Sequence, residues 1–335
     1  MWRIGKKYNW NRKQAVLSGM LAAACLCISI FDAEEANAVR GKNDFCIQTA
    51  ELARQACLKD CQDNYFTAQA ICLNLSDAGE REHCRSEAKD TKEEQRSECS
   101  DQFRARKDVC SLVGEGRYDP DFNPANFVNP ADIGTTVAPN PYFPLVRGTR
   151  WVYNSATEVD TVEVTAKTKN INGVTCGVVR DVVTVNGVAT EITDDWIAQD
   201  KTGNVWYCGE ITQQFETFAG DSPAEAELVG IEGAWKAGRD GAKPGILMLA
   251  APRRGIAYRE EMEFGNAEDV AEVMSVTGTA SVPAASCSGN CVVTRNFTAL
   301  HPGENEYKYY AAGIGAILEV DADGGKVQLV EFHAP

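Results

Sequence analysis

Hydrophobic and polar positions follow two different periods in the two halves of the chain. Residues 44–75 contain no Pro or Gly and are rich in helix-forming Ala, Leu, Gln, Glu, Arg and Lys. Their cysteines, Cys46, Cys57, Cys61 and Cys72, are spaced 11, 4 and 11 residues apart. A step of 11 residues rotates only about 20° around a helix, so these side chains share one stripe. The pattern predicts a long first helix.

A second, antiparallel helix is predicted after a turn. Asp77 is a good N-cap residue, and Glu80 follows three positions later as in a capping box. Three pairs of cysteines share a midpoint at residue 78, so a reversal near Ala78–Gly79 places each pair side by side. The predicted disulfides are Cys46–Cys110, Cys57–Cys99 and Cys72–Cys84. We reject the alternative Cys46–Cys72 with Cys57–Cys61, which needs a reversal at Lys59, where residues 58–60 contain no Gly, Pro or Asn.

Cys61 is left as a candidate free thiol, because its mirror position in the hairpin is Gln95. In one interpretation Cys61 is functional, as a reactive thiol, an intermolecular link, or half of a metal site with Cys57. In the other it is a buried thiol, or it exchanges with Cys57 as the mate of Cys99. We favour the second interpretation.

From Thr149 onward the period changes to two, which is typical of half-buried strands. Asn172-Gly173 and Asn186-Gly187 lie between alternating segments and predict hairpin turns. Eleven strands are predicted, and they cover residues 149–155, 158–169, 174–184, 189–197, 205–212, 257–264, 271–282, 291–299, 306–311, 314–320 and 326–332. These strands predict an antiparallel domain built as a curved sheet, a sandwich or an open barrel.

Two further disulfides are predicted in this half. Cys176 and Cys208 lie mid-strand in neighbouring regions of the chain, and Cys287 and Cys291 close a small loop before a strand. Both are interpreted as structural bonds. Between the two halves, residues 114–144 contain six prolines and recurring aromatic residues, which predicts an ordered connector on the domain surface.

The first 38 residues have the composition of a secretory signal. A basic segment precedes the apolar run Ala15–Phe31, and Ala36-Asn37-Ala38 supplies a cleavage site. Lipidation at Cys25 is the weaker option, since the apolar run continues past it. We expect an exported protein, periplasmic, outer-envelope or extracellular, which touches a membrane only if this segment is retained. Its eleven remaining cysteines then meet oxidising conditions.

Charge is divided unevenly along the exported chain. Residues 39–118 carry 13 Lys or Arg against 15 Asp or Glu, whereas residues 119–335 carry 15 against 30. The acidity therefore belongs to the β-rich half. An acidic surface of this size argues against nucleic acid as a partner.

Three segments resemble a group of uncharacterised secreted bacterial proteins that share a YFPLxxGxxWxY-type β-rich domain. The segments are Asn140–Tyr153, Asp195–Tyr207 and Tyr309–Glu319, and the resemblance covers about residues 140–331. It implies an exported, strand-rich module, and it implies no established catalytic residues.

The sequence lacks several well-established catalytic motifs. The chain has no G-x-S-x-G, H-E-x-x-H or Walker motif, and its three histidines leave few members for a Ser/His or Cys/His centre. The same scarcity and the lack of a C-x-x-C pair disfavour zinc and c-type haem.

Acidic residues and tryptophans are further candidate functional groups. Acidic residues cluster at Asp194-Asp195, Glu260-Glu261 with Glu263, and Glu304 with Glu306, and we interpret them as solvated faces. Asp321–Gly325 is interpreted as a hairpin turn rather than a calcium loop. Four tryptophans are assigned to the core rather than to a sugar-stacking platform, namely Trp151, Trp196, Trp206 and Trp235.

The sequence thus predicts an α+β protein with a signal peptide (1–38), a Cys-rich antiparallel two-helix hairpin stapled by disulfides (39–113), a connector (114–144) and an antiparallel β-domain (145–335). The leading hypothesis is a non-catalytic binding or structural protein, whose rigid hairpin presents or anchors an acidic domain that binds an unknown protein or small-molecule ligand. Two alternatives stay open: a metal-handling protein using Cys61 or acidic residues, and a hydrolase using carboxylates such as Asp194 or Glu261. No cofactor is predicted.

Overall fold

The computed structural model describes residues 44–335 as a helical hairpin, a connector and one large antiparallel sheet. The predicted signal segment and Cys25 lie outside the described residues. Within residues 44–335, neither helix is apolar enough over a sufficient length to cross a membrane.

The hairpin consists of α1 (Phe45–Leu73) and α2 (Ala78–Val113). Three disulfides join the helices like rungs, with Cα–Cα distances of 5.6 Å for Cys46–Cys110, 5.7 Å for Cys57–Cys99 and 5.5 Å for Cys72–Cys84. These are the three pairs derived from the shared midpoint. The Asp77 carboxylate accepts a hydrogen bond from the Glu80 backbone N–H at 2.8 Å and caps α2.

The turn lies close to the predicted reversal. Residues 74–77 form it, and α2 begins at Ala78, directly after the predicted cap Asp77. Cys72 is next to the last residue of α1, whereas Cys84 is the seventh residue of α2. The first turn of α2 therefore extends past the end of α1, which displaces the loop from the midpoint.

The β-domain contains fifteen strands. They are β1 (Arg150–Asn154), β2 (Glu158–Ile171), β3 (Val174–Val185), β4 (Val188–Gln199), β5 (Val205–Glu216), β6 (Glu227–Gly230), β7 (Trp235–Lys236), β8 (Lys243–Met248), β9 (Ala257–Arg259), β10 (Glu261–Met262), β11 (Asp269–Val282), β12 (Ala285–Thr298), β13 (Asn305–Ala311), β14 (Gly315–Asp321) and β15 (Lys326–His333). Strand order is β10-β8-β5-β4-β3-β2-β1-β15-β14-β13-β12-β11-β9, and β6 and β7 also pair with β5.

A short segment joins the two ends of this sheet. We predicted one strand over residues 257–264, but the structure divides it at Glu260 into β9, which pairs with β11, and β10, which pairs with β8. Because β9 and β10 border opposite ends of the strand order, residues 257–262 nearly close the curved sheet. The α+β class is confirmed, and the β-domain is this one nearly closed antiparallel sheet.

Three strands were missed, and one begins earlier than predicted. β6, β7 and β8 lie in a Gly-rich region where the alternation is short or broken. β12 begins at Ala285 rather than Cys291, because the loop closed by Cys287–Cys291 lies within the strand and continues its pairing with β11.

The connector packs on the domain. It contains a short 3-10 helix (Pro124–Asn126), and Phe127 contacts Trp206 edge-on with ring centroids 5.7 Å apart. The backbone N–H of Asn140 donates to the Gln199 side-chain oxygen at 2.9 Å. These contacts join the connector to the apolar core inside the sheet.

Closure of the sheet requires a residue without a side chain at position 245. A Cβ there would clash with the carbonyl oxygen of Glu260, which belongs to the closing segment. We therefore expect Gly245→Ala to lower the free energy of unfolding by about 1–3 kcal/mol, the usual cost of overpacking. The matched control is Gly116→Ala, since a Cβ at Gly116 meets no atom within 4 Å. Urea unfolding measures both, and equal stabilities would contradict the close approach.

Candidate functional site

A buried ion pair fixes the hairpin to the β-domain. The Arg106 side chain of α2 donates from Nε and Nη2 to the two carboxylate oxygens of Glu268, both at 2.8 Å. The two side chains are 6% and 2% exposed. Glu268 also accepts a hydrogen bond from the Gly265 N–H at 2.8 Å. This two-pronged, charge-assisted geometry defines the direction of the hairpin as well as holding it in place.

Apolar and neutral contacts extend the junction. Val109 of α2 packs with Val270 and Ala299 in a small separate cluster. The Gln102 side-chain amide donates to the Leu300 carbonyl oxygen at 3.0 Å. The junction therefore follows α2 over at least two turns, from Gln102 to Val109.

The base of the hairpin is anchored as well. The Arg259 guanidinium lies 3.6 Å from Cys46 Sγ and faces the Tyr118 ring at 5.7 Å. The Tyr118 hydroxyl donates to the Pro244 carbonyl oxygen at 2.8 Å. Arg259 belongs to the closing segment and Pro244 pairs with it through Glu261, so the hairpin is attached where the sheet closes.

A cleft of about 310 Å³ lies between the hairpin and the β-domain. Ala53, Ala56, Phe264 and Leu300 give it apolar walls. Its polar lining is mainly uncharged or acidic, and consists of Asn64, Gln95, Gln102, Asp60 and Glu98, with Arg106 at its base. Among residues 44–335, Nη1 of Arg106 has no hydrogen-bond partner. The cleft thus combines apolar surface with side-chain amides and one buried unused donor.

Cys61 and the Cys57–Cys99 disulfide also line this cleft. Cys61 is a free thiol, only 3% exposed, and its Sγ donates to the Lys92 carbonyl oxygen at 3.3 Å. A thiol that is buried and already hydrogen-bonded fits the structural interpretation better than a reactive one.

A second groove, of about 830 Å³, lies on another side of α2. Helix residues such as Glu94 and Asp101 face His301, Pro302 and Glu304 of the β-domain across it. Glu98 borders both the groove and the cleft. The same stretch of α2 therefore has binding space on two sides.

Inside the sheet, carboxyl groups lie close together. Asp160 of β2 and Asp181 of β3 occupy diagonal positions on the inner face and are 4% and 6% exposed. Neither oxygen of Asp160 has a hydrogen-bond partner among residues 44–335. Burial and the neighbouring Asp160 raise the pKa of Asp181 well above its ordinary value.

A second buried pair, Glu306 and Glu319, lies beside Lys308. Burial, followed by the Glu319 carboxylate, raises the pKa of Glu306 to about 9. Burial lowers the pKa of Lys308, but Glu319 and Glu306 raise it by more and keep the ammonium charged. Burial also raises the pKa of Glu260 to about 7, although Lys308 opposes the shift. The interior of the sheet thus holds Lys308 beside buried carboxyl groups, and the pKa values of Glu306, Glu260 and Asp181 are raised.

Our expectation that the clustered acids form solvated faces was wrong for four of them. Asp195, Glu260, Glu261 and Glu306 are 2%, 2%, 3% and 8% exposed. Asp195 and Glu306 lie on the inner face of their strands, which a nearly closed sheet buries. Glu260 and Glu261 are adjacent, and both are buried because they lie in the closing segment between the two ends of the sheet. Of the two carboxylates named for the hydrolase alternative, Glu261 is thus buried, whereas Asp194 faces outward and pairs with Arg180 at 2.8 Å.

The remaining candidate residues take part in disulfides, a turn and core packing. Cys176–Cys208 and Cys287–Cys291 are both bonded. Asp321 accepts backbone hydrogen bonds from Asp323 and Gly325 and so stabilises a turn between β14 and β15. Trp151, Trp196 and Trp235 are buried, and Trp206 packs on Phe122 and Phe127.

One group of three potential metal ligands is found among residues 44–335, namely Cys46, Cys110 and Glu115. The two cysteines are bonded to each other, so they supply no thiolates to a metal. This part of the chain therefore offers no thiol cluster for the metal-handling alternative.

Sequence reasoning missed Arg106 and Glu268. Arg106 follows Cys99 by seven residues and precedes Cys110 by four, so it lies on the cysteine face of α2. A charged side chain on the face that carries the disulfides indicates a buried partner, and this signal was available. Nothing local in the sequence identifies Glu268 as that partner.

Comparisons with known proteins place the chain in no family. No family model matches it, and no curated protein matches it. Its fold is similar to a crystal structure of a candidate lipoprotein from Parabacteroides distasonis ATCC 8503, with a TM-score of 0.31 and 11% identity over 59% of this chain and 100% of that chain. Similarity this low supports no argument about fold or function.

Removing one partner of the buried pair is expected to destabilise the junction. Arg106→Met leaves the Glu268 carboxylate buried without its counter-charge, and we expect the free energy of unfolding to fall by about 3–5 kcal/mol. The double variant Arg106→Met/Glu268→Met removes both charges, so it should recover most of this loss. Urea unfolding of the three proteins tests the interaction. A double variant no more stable than the single one would contradict it.

Stability should fall as the pH rises above about 5. Glu306 and Asp181 hold protons in the native state that the unfolded chain releases near its ordinary carboxyl pKa values. Each extra native proton lowers the unfolding free energy by about 1.4 kcal/mol per pH unit in that window. For Glu306 the window ends at a pH of about 9.

Urea unfolding at a series of pH values across this window measures the slope of stability against pH. Glu306→Gln removes one titrating group and should flatten the slope. The control Glu304→Gln changes an exposed carboxylate and should leave the slope unchanged. Equal slopes for the two variants would contradict a raised pKa at Glu306.

Proposed function

We propose that this chain is an exported, non-catalytic binding protein whose cleft between hairpin and β-domain receives a segment of a partner protein. The observation that carries the proposal is the cleft itself, with its apolar walls and its Gln and Asn side chains. Side-chain amides both donate and accept hydrogen bonds, so they match the peptide groups of an extended segment. The acidic Asp60 and Glu98 favour a segment that carries Lys or Arg.

The stiffness of the hairpin supports this role. Three disulfides hold the two helices together, and the Arg106–Glu268 pair fixes them to the domain. A wall that is already fixed loses little conformational freedom when a partner binds, so more of the contact energy appears as affinity.

Export is supported by the cysteines. Ten of the eleven cysteines after residue 38 form disulfides, which is the usage of proteins that mature in an oxidising compartment. The signal segment and the resemblance of residues 140–331 to secreted bacterial proteins agree with this proposal, and both remain predictions.

Site-specific photo-crosslinking in the native host tests the binding proposal. A photoreactive residue at Asn64, inside the cleft, should crosslink to a protein, whereas the same residue at Lys167, exposed on β2, should not. The crosslink should be lost when Ala56→Trp fills the cleft and kept in the control Ala78→Trp, at the exposed start of α2. A crosslink that persists in the Ala56→Trp variant, or the absence of any crosslink at Asn64, would contradict the proposal.

A further inference from the structure

A small cavity lies at the junction between the hairpin and the β-domain. Its volume is about 10 Å³, and its polar lining comes from Arg106, Arg259, Glu268 and Thr49. Phe264 lines both this cavity and the larger cleft, so the two spaces adjoin each other. A cavity of about 10 Å³ has room for one particle the size of a water molecule.

Both arginines that line the cavity have a buried N–H group without an acceptor. Arg106 is 5% exposed and Arg259 is 9% exposed. Nη1 of Arg106 and Nε of Arg259 have no hydrogen-bond partner among residues 44–335. Buried donors in proteins are nearly always paired, so two unpaired donors beside one cavity indicate a bound acceptor.

The lining of the cavity carries an excess of positive charge. Glu268 supplies its one carboxylate, and both oxygens of this group already accept hydrogen bonds from Arg106 at 2.8 Å. Arg259 donates to Cys46 Sγ at 3.6 Å, and a disulfide sulfur is a weak, neutral acceptor. Burial lowers the pKa of Arg259, and the Glu268 carboxylate opposes this shift. One carboxylate therefore serves two buried guanidinium groups.

Glu115 does not supply the missing negative charge. Its carboxylate lies within 4.8 Å of Cys46 Sγ, but it accepts a hydrogen bond from the Ile47 N–H at 3.3 Å and does not line the cavity. A buried charge without a counter-charge is strongly destabilising. The guanidinium of Arg259 thus requires a counter-ion small enough for the cavity.

We propose that the cavity binds a single chloride ion, which accepts hydrogen bonds from Arg106 and Arg259. Size and charge together select this ligand. Phosphate, sulfate and carboxylate groups are larger than the space for one water-sized particle, whereas a monatomic anion fits it. A water molecule fits as well, but it leaves the buried charge of Arg259 uncompensated. The ion connects α2 with β9, beside the Arg106–Glu268 pair.

The dependence of stability on chloride concentration tests this site. The disulfide-bonded chain lacking only residues 1–38 is unfolded by urea at constant ionic strength, with chloride replaced stepwise by gluconate, an anion too large for the cavity. Because the ion binds only the native state, each tenfold rise in chloride beyond half-saturation should lower the unfolding equilibrium constant by about tenfold. A stability that does not change with chloride would overturn the proposal.

A matched pair of variants locates the ion. Arg259→Met should lose the chloride dependence, whereas Arg254→Met changes an exposed arginine nearby and should retain it. Chloride dependence that persists in Arg259→Met would overturn the assignment to this cavity.

Bromide in crystals of the wild-type protein provides a second test, which does not require a variant to fold. We expect an anomalous scattering peak within hydrogen-bond distance of Arg106 and Arg259, which a water molecule cannot produce. The absence of a bromide peak between these two arginines would overturn the proposal.

Discussion

The bidentate Arg106–Glu268 ion pair is the interaction on which the arrangement of this protein depends. The hairpin and the sheet each have their own stabilising contacts, namely disulfide rungs in one and a continuous apolar core in the other. Their relative position rests on a short junction with a small apolar cluster. Two fixed hydrogen bonds between buried charges specify orientation in a way that a few valine and alanine contacts do not.

This junction lies where the sheet closes. The segment from β9 to β10 borders both ends of the strand order, and Arg259 within it contacts Cys46 and Tyr118 at the base of the hairpin. The same segment therefore closes the sheet and attaches the hairpin, and the cleft forms beside this attachment. The buried carboxyl pairs inside the sheet add a pH-dependent contribution to the stability of the same domain.

The sequence predicts the hairpin well and the sheet interior poorly, for physical reasons. The cysteine spacing predicts both the helices and the disulfide partners. It matches the helical period, and a disulfide requires the Cα atoms of its two cysteines to lie close together. The shared midpoint places the turn only to within a few residues, since it does not say how far one helix extends beyond the other. Asp160, Asp181 and Glu319 were not recognised as buried because a charged residue in an alternating strand normally marks the outer face.

The cleft could not be predicted, because Arg106 and Glu268 are 162 residues apart and no local pattern connects them.

The central claim is that the Arg106–Glu268 pair fixes the hairpin to the β-domain. Its most direct test is the distribution of distances between spin labels at Ser86 on α2 and Asn170 on β2, measured in solution by pulsed electron paramagnetic resonance. Both side chains are exposed, so the labels need not disturb the junction. A hairpin fixed by Arg106–Glu268 predicts one narrow distribution that broadens in Arg106→Met. A broad distribution in the wild type would contradict a fixed hairpin and the cleft that it forms.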